Sequence, residues 1–355
     1  MHNLSGSRKL LQTLLFFSLF IFHFTFSYCQ SWQTLPNSPA QDFRHDDVCF
    51  TDVNMGWVVN IKGEVWKTID GGNIWQKIFT QKTAFRDVGF IDSLNGFTGN
   101  LGRSAWTSFI DTIPLYKTHD GGYSWIPVTK FEGPTPEGIC GMQVVDKNTI
   151  VAVGRVDGPP FFVRSTDGGN TWHSKDMQQY AGMLIDVLFT SRDTGFVIGG
   201  TDASRLKSAA IVLYTTDGGE HWKTKIKDAG KSNHCWKICH PTKNTFYVSI
   251  EELYMGNALK YFKSVDGGNT WKENQINNVP YGVSQGIGFV NDTVGWVGGA
   301  KYALSTTDGG KTFKQMPSNI FVNLNRIRMI NDTLGYATGQ RVYKYCKPMV
   351  TATGH

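Results

Sequence analysis

The sequence predicts an all-β chain folded as a seven-bladed β-propeller, and three observations carry that prediction. One short sequence recurs six times: TIDGGNIW (68–75), THDGGYSW (118–125), STDGGNTW (165–172), TTDGGEHW (215–222), SVDGGNTW (264–271) and TTDGGKTF (306–313). Its aspartates, Asp70, Asp120, Asp167, Asp217, Asp266 and Asp308, stand 50, 47, 50, 49 and 42 residues apart, the period of a propeller blade. Seven segments then read as first strands, one more than the turns. Finally, the chain stops short of a seventh turn, while a Trp-led strand stands near its beginning.

In chain order, residues 1–29 read as a secretory signal peptide. Arg8 and Lys9 precede an apolar run from Leu14 to Phe26, and Ser27-Tyr28-Cys29 places small residues at the cleavage positions before Gln30. The run is short for a membrane span, so the mature chain is expected to have no integral membrane segment. Cys29 offers the alternative of a lipidated first residue, which Tyr28 before it fits badly. Either route places the protein outside the cytoplasm, secreted or periplasmic. Residues 30–350 are expected to form the propeller and 351–355 a short tail.

Loss of Arg8 and Lys9 lowers the formal net charge from +6 to +4. That is mild for a chain of this size, and no Lys/Arg run points to nucleic acid. Of six cysteines, five remain after the leader, an odd number in an exported chain. Cysteine is too sparse to be the main source of stability.

The first strands are Asp47-Val48-Cys49-Phe50, Asp87-Val88-Gly89-Phe90, Gly141-Met142-Gln143-Val144, Asp186-Val187-Leu188-Phe189, Lys237-Ile238-Cys239-His240, Gly286-Ile287-Gly288-Phe289 and Ile327-Arg328-Met329-Ile330. Turns such as Asn54-Met55-Gly56-Trp57 and Asp193-Thr194-Gly195-Phe196 lead into second strands, and third strands run into the DGG turns. An aspartate can accept bonds from the N–H groups just after it, and the hydroxyl residue two places earlier can brace the loop. The glycines supply positive φ, and the Trp or Phe that follows packs back on the blade. These are structural tasks, so the six turns read as scaffold. Arg341-Val342-Tyr343-Lys344-Tyr345 matches a third strand, and Ser31-Trp32-Gln33-Thr34-Leu35-Pro36 matches the fourth strand missing from the last blade. Their pairing would close the ring and remove exposed edges.

The repeat S/T-x-D-x-G-x-T-W/F resembles the Asp-box, or BNR repeat, found in sialidases, sortilin-type receptors and xyloglucan-active glycosidases. Paired N/D-x-x-G-W/F and TDGGxTW signatures over seven blades most resemble the photosystem II assembly/stability factor family known as Ycf48 or HCF136, and the similarity spans nearly the whole mature chain. The resemblance implies a non-enzymatic, exported assembly factor that binds a membrane-protein precursor through an arginine-lined face. Nothing in the chain establishes a photosynthetic host, so the expected partner is a protein or peptide client of unknown identity, with a glycan as the alternative. No cofactor, metal or catalytic residue is assigned. Sialidase chemistry needs an arginine triad and a tyrosine nucleophile, and the arginine-isoleucine-proline signature is absent. Other glycosidases need two carboxylates across a cleft, and Glu132, Glu137, Asp157, Glu251 and Glu252 single out no pair.

First strands line the channel of a propeller, so their polar residues are the binding candidates. Arg44, Arg86, Arg326 and Arg328 fall on or beside the first strands of blades 1, 2 and 7, neighbours in a closed ring. Together they could form a basic mouth for a carboxylate or an acidic peptide. Asp46, Asp47 and Asp87 could equally neutralise them. Insertions at 100–114, carrying Trp106, and at 200–210 add binding loops, as do the proline-bearing loops 131–138 and 154–161. In His234-Cys235-Trp236-Lys237-Ile238-Cys239-His240 the two cysteines share one face of a straight strand, too far apart for a relaxed disulfide. Packing and metal or haem binding are both readings of this segment. Cys49 and Cys346 lie in adjacent blades after closure, which makes them the candidate disulfide.

Overall fold

A computed structural model describes residues 31–103, 110–254, 258–276, 284–300, 302–317 and 320–346. The leader, Cys29, Trp106 and the 351–355 tail lie outside the described residues. The strands form seven four-stranded antiparallel sheets, the blades of a propeller. The inner strands are Asp47–Phe50, Phe85–Phe90, Gly141–Val144, Met183–Phe189, Asn233–Thr242, Ser284–Phe289 and Arg326–Met329. Each contains or overlaps a segment that the sequence marks as a first strand. Blades 1 to 6 are meanders in which successive strands step outward.

Blade 7 is assembled from both ends of the chain. Ser31–Thr34 pairs antiparallel with Val342–Cys346, with Trp32 opposite Tyr345. Trp32 is buried and meets Trp296 edge-on, with ring centroids 5.4 Å apart, and Phe321 at 4.8 Å. The ring is thus closed by a strand that brings an aromatic anchor as well as hydrogen bonds.

Meander topology sorts the connections onto two faces. Turns from first to second strand and the DGG turns from third to fourth strand share one end, the turn face. Second-to-third connections and blade-to-blade connections share the other, the loop face. The loops at 154–161 and 200–210 belong to the loop face, as do the described residues of the 100–114 insertion, while the 131–138 connection starts beside His173 on the outer strand of blade 3.

Each DGG turn is built the same way. Ser165 Oγ donates to Asp167 Oδ1 (2.8 Å) and accepts from Gly169 N (2.8 Å), while Thr171 N donates to Asp167 Oδ1 (2.9 Å). Gly168 and Gly169 take φ of 74° and 85°, the left-handed region that favours glycine. The turn also ties blades together. Its first glycine carbonyl accepts from the preceding blade: Lys67 Nζ to Gly121 O (3.3 Å), Arg164 Nη1 to Gly218 O (3.0 Å), Lys263 Nζ to Gly309 O (2.8 Å) and Lys344 Nζ to Gly71 O (2.9 Å). Between the blades, second-strand aromatics stack on inner-strand phenylalanines, as Trp57 on Phe90 (3.6 Å) and Tyr247 on Phe289 (3.6 Å). Most of the apolar core lies in these layers.

Two sequence expectations about cysteine need correction. Cys49 and Cys346 are free thiols. Cys49 packs into the layer between blades 1 and 2, while Cys346 ends the third strand of blade 7, which lies on the other side of blade 1. Neighbouring blades were not enough to bring the two together. Cys235 and Cys239 do not share a face either. The register shifts by one residue between Cys235 and Ile238, so Cys235 packs between blades 4 and 5 and Cys239 between blades 5 and 6. A β-bulge reverses the alternation that a straight strand would keep.

Candidate functional site: the central channel

Ten ionisable side chains meet along the channel, seven from inner strands, Arg44 and Asp46 from just before the first of them, and Glu251 from the second strand of blade 5: Arg44, Arg86, Lys237, Arg326 and Arg328 against Asp46, Asp47, Asp87, Asp186 and Glu251. The formal charges balance, and all but Arg328 are buried. Arg326 is the hub. Its Nη1 and Nη2 form a two-pronged pair with Asp186 (2.8 and 3.0 Å), Nη2 also reaches Asp87 Oδ2 (3.0 Å), and Nε lies 2.9 Å from Asp47 Oδ1. Arg328 grips Asp47 through Nε (3.1 Å) and Nη2 (2.7 Å). Arg86 pairs with Asp46, and Arg44 reaches Asp46 Oδ1 through Nε (3.3 Å) and Gln285 through Nη1.

This arrangement sets the protonation states. Burial raises the Asp47 pKa, but Arg328 and then Arg326 outweigh burial and hold it below the ordinary carboxylate range. Burial, with the neighbouring Asp47 charge, pushes Asp87 well above that range. Burial, reinforced by Arg326, lowers Lys237 from its ordinary value. A group with both opposite charges and low dielectric around it keeps its charge only where the pairing is close.

The structure divides the predicted arginine quartet. The four do not share one mouth. Arg44 faces the loop end, where Phe43, Arg44, Arg205, Glu251, Gln285, Ala300 and Asn323 enclose a cavity of about 240 Å³. Arg205 comes from the 200–210 insertion and is paired with Asp157 (2.9 Å). Arg328 faces the turn end, in a cavity of about 210 Å³ shared with Gln143, His240 and the apolar Leu188, Phe289 and Met329. Arg326 lines the same cavity from beneath, and Arg86 is buried within the channel. Arg328 alone is partly open, at 29% exposure, and its Nη1 has no partner among the described residues.

Trp236 and Lys237 are among the channel residues that sequence reasoning did not assign, with Asp186. The bulge between Cys235 and Ile238 leaves Trp236 and Lys237 unpaired in the strand ladder. Trp236 lies in the loop end of the channel, where its Nε1 donates to Asn325 Oδ1 (2.8 Å) and the guanidinium carbons of Arg44 and Arg86 sit 5.6 and 5.1 Å from its ring. The only signal was the length of the HCWKICH segment, which a straight strand would have absorbed.

Among the described residues no cluster of His, Cys, Asp and Glu could hold a metal ion. Of the carboxylates considered for glycoside cleavage, Glu132 faces a cavity between blades 3 and 4 (about 460 Å³), Asp157 a different one with Asp202 (about 500 Å³), and Glu251 the loop-end cavity.

A seven-bladed propeller with an ion-paired channel and its insertions gathered on one face is the class these features define. No family model matches the chain. In fold it is similar to YCF48 bound to D1 peptide (TM-score 0.65, 16% identity, 90% of this chain and 97% of that one) and to YCF48 from Cyanidioschyzon merolae (TM-score 0.64, 18% identity, 89% and 98%). It is also similar in fold to the GH74 xyloglucanase from Xanthomonas campestris (TM-score 0.63, 10% identity), matching 91% of this chain but 54% of the enzyme. Among curated proteins it is 24% identical over 208 residues to Vacuolar protein sorting/targeting protein 10 of Penicillium rubens; the match takes in 57% of this chain and 13% of that protein's length.

Proposed function

We propose that this protein is an exported, non-enzymatic propeller that binds a protein or peptide client, in the manner of an assembly or stability factor for an envelope or membrane protein. The observation that carries the reading is Arg328: a half-satisfied guanidinium in a small cavity at the turn-face mouth, whose walls mix Gln143 and His240 with Leu188, Phe289 and Met329, with one nitrogen available to a carboxylate. Fold similarity to a YCF48 structure with a bound peptide supports it. Arg86 and Arg326 are held by buried carboxylates, which suits a rigid scaffold.

Affinity capture from envelope fractions with the wild type and Arg328→Gln tests the proposal. Asp47 keeps Arg326 in the variant, so the fold is expected to hold. A client recovered by the wild type and lost by the variant supports the site; equal recovery removes it. Glycan processing is the second reading, favoured by the cavity that Asp157 and Asp202 share and by the fold likeness to a xyloglucanase. Hydrolysis of a fluorogenic glycoside that disappears on Asp157→Asn or Asp202→Asn would replace the binding reading.

A further inference from the structure

Eleven large apolar side chains are strongly exposed among the described residues, and they are unevenly placed. Six stand on the turn face of blades 1 and 2: Val53, Ile69, Ile74, Leu94, Tyr123 and Ile126. The turns of the other five blades contribute only Val265. Hydrogen bonds join the turns that carry them. Gly71 N donates to Asn54 O (2.8 Å) and Gly121 N to Leu94 O (2.9 Å), so the two turns of each blade touch. Lys67, beside Ile69, bonds Gly121 O of the next blade and lies 5.2 Å from the Tyr123 ring centroid.

Ile74 breaks the rule of the repeat. In the other five DGG turns, the residue four places after the aspartate clasps its second carboxylate oxygen: Ser124, Thr171, Thr270 and Thr312 at 2.6 Å through their hydroxyls, and His221 Nδ1 at 2.8 Å. The isoleucine side chain cannot donate and its N–H goes to Asp70 Oδ1 (2.9 Å), so Asp70 Oδ2 has no partner among the described residues, and the Ile74 side chain is 65% exposed. A stabilising hydroxyl has been exchanged for an exposed hydrocarbon beside an unpaired carboxylate oxygen. Asp52, in the adjoining turn, likewise uses only Oδ1, which accepts from Asn54 N and Met55 N (2.7 and 2.9 Å).

We propose that this patch docks a partner segment in which aliphatic side chains alternate with lysine or arginine. The aliphatic groups cover Ile69, Ile74 and Leu94, and the cations meet Asp70 and Asp52. The two lysines nearby, Lys67 and Lys344, are already committed to Gly121 O and Gly71 O. Unpaired carboxylates repel an anionic lipid surface, and a two-fold pair of these patches would bring like charges into one interface. The surface is separate from the Arg328 cavity, and neither proposal depends on the other.

The test uses fluorescence anisotropy of the mature protein with short labelled peptides that alternate leucine with lysine, leucine with glutamate, or serine with lysine. Ile74→Thr restores the clasp seen in the other turns, so its unfolding midpoint should equal or exceed that of the wild type, which removes misfolding as an explanation. The expected result is preference for the leucine–lysine peptide, weakened about fivefold by Ile74→Thr and about tenfold or more by Ile69→Ser with Ile74→Thr. Arg328→Gln should leave this affinity unchanged. Equal binding of the leucine–glutamate peptide, or unchanged affinity in the double variant, overturns the proposal. So does binding to phosphatidylglycerol vesicles without a peptide preference, or a dimer seen by sedimentation that Ile74→Thr dissolves.

Discussion

The channel wall and the layers between the blades are built from the same seven inner strands and held by opposite means. Val48 packs into the layer between blades 7 and 1; Asp47, its neighbour in sequence, holds Arg326 and Arg328 of the adjoining blade at the channel wall. The layers depend on stacked rings and aliphatic contacts spread over many residues. The channel depends on a few ions, with one guanidinium serving three carboxylates. Packing is divisible, so its losses are graded. A buried ion network is not, because removing one member strands the others without water.

The largest effect should come from breaking the layers where they close. Removal of residues 30–36 deletes the outer strand of blade 7 and Trp32 together, and a thermal melt followed by circular dichroism should lose its cooperative transition. Truncation at Trp32→Ala alone should destabilise by about 3–5 kcal/mol. A shortened chain that still melts sharply near the wild-type midpoint would mean that closure is dispensable.

Next comes the channel. Arg326→Met leaves Asp47, Asp87 and Asp186 facing one another and should lower stability in urea by about 3–5 kcal/mol. The sharper comparison is a variant in which Arg326, Asp47, Asp87 and Asp186 are all apolar. It should recover much of that loss, since the charges' own burial is unfavourable. If it is as unstable as Arg326→Met, volume and not charge governs the channel.

The turns should give smaller changes. Ser165→Ala removes the hydroxyl that both donates to Asp167 and accepts from Gly169 N, and should cost about 1 kcal/mol. Ile74→Thr should move stability the other way, by about 0.5 kcal/mol. Calorimetric midpoints of the two variants would check both signs.

The smallest effect is on pH. Slight burial raises the Asp167 carboxyl, but the hydroxyl and N–H of Thr171 outweigh it and hold the group at about 2, against an ordinary 3.8. Asp120 is held at about 2 in the same way by Ser124. A folded pKa below the unfolded one gives stability that is fully present above pH 3.8 and is lost as pH falls toward 2. Asp167→Asn should therefore reduce the slope of stability between those values and leave the slope near neutrality unchanged. Identical slopes would mean that the turn does not favour the charged carboxylate.

Much of the fold was legible because propeller repeats are local. A DGG turn needs its hydroxyl, aspartate and glycines within five residues, and a first strand needs only a short alternating run. The closing strand could also be read, since Ser31–Thr34 looks like the piece that blade 7 lacks. The site was legible only as a set of residue types. Arg326 meets Asp186 from 140 residues away, and no local pattern chooses Asp186 over solvent. Trp236 and Lys237 enter the channel because of one bulge, and that same bulge separates Cys235 from Cys239. The Ile74 departure was visible in TIDGGNIW all along. Its meaning depended on seeing which oxygen the other turns clasp.

The sequence by itself determined the number of blades, the turn chemistry and the closure of the ring, because each rests on short-range hydrogen bonding and on a period that can be counted. Tertiary structure alone decided which arginines are buried against carboxylates, which one stays partly exposed at a cavity, and which apolar side chains meet on one face. Those outcomes depend on side chains from distant blades converging at the axis or at neighbouring turns, where burial and pairing fix what each group can do.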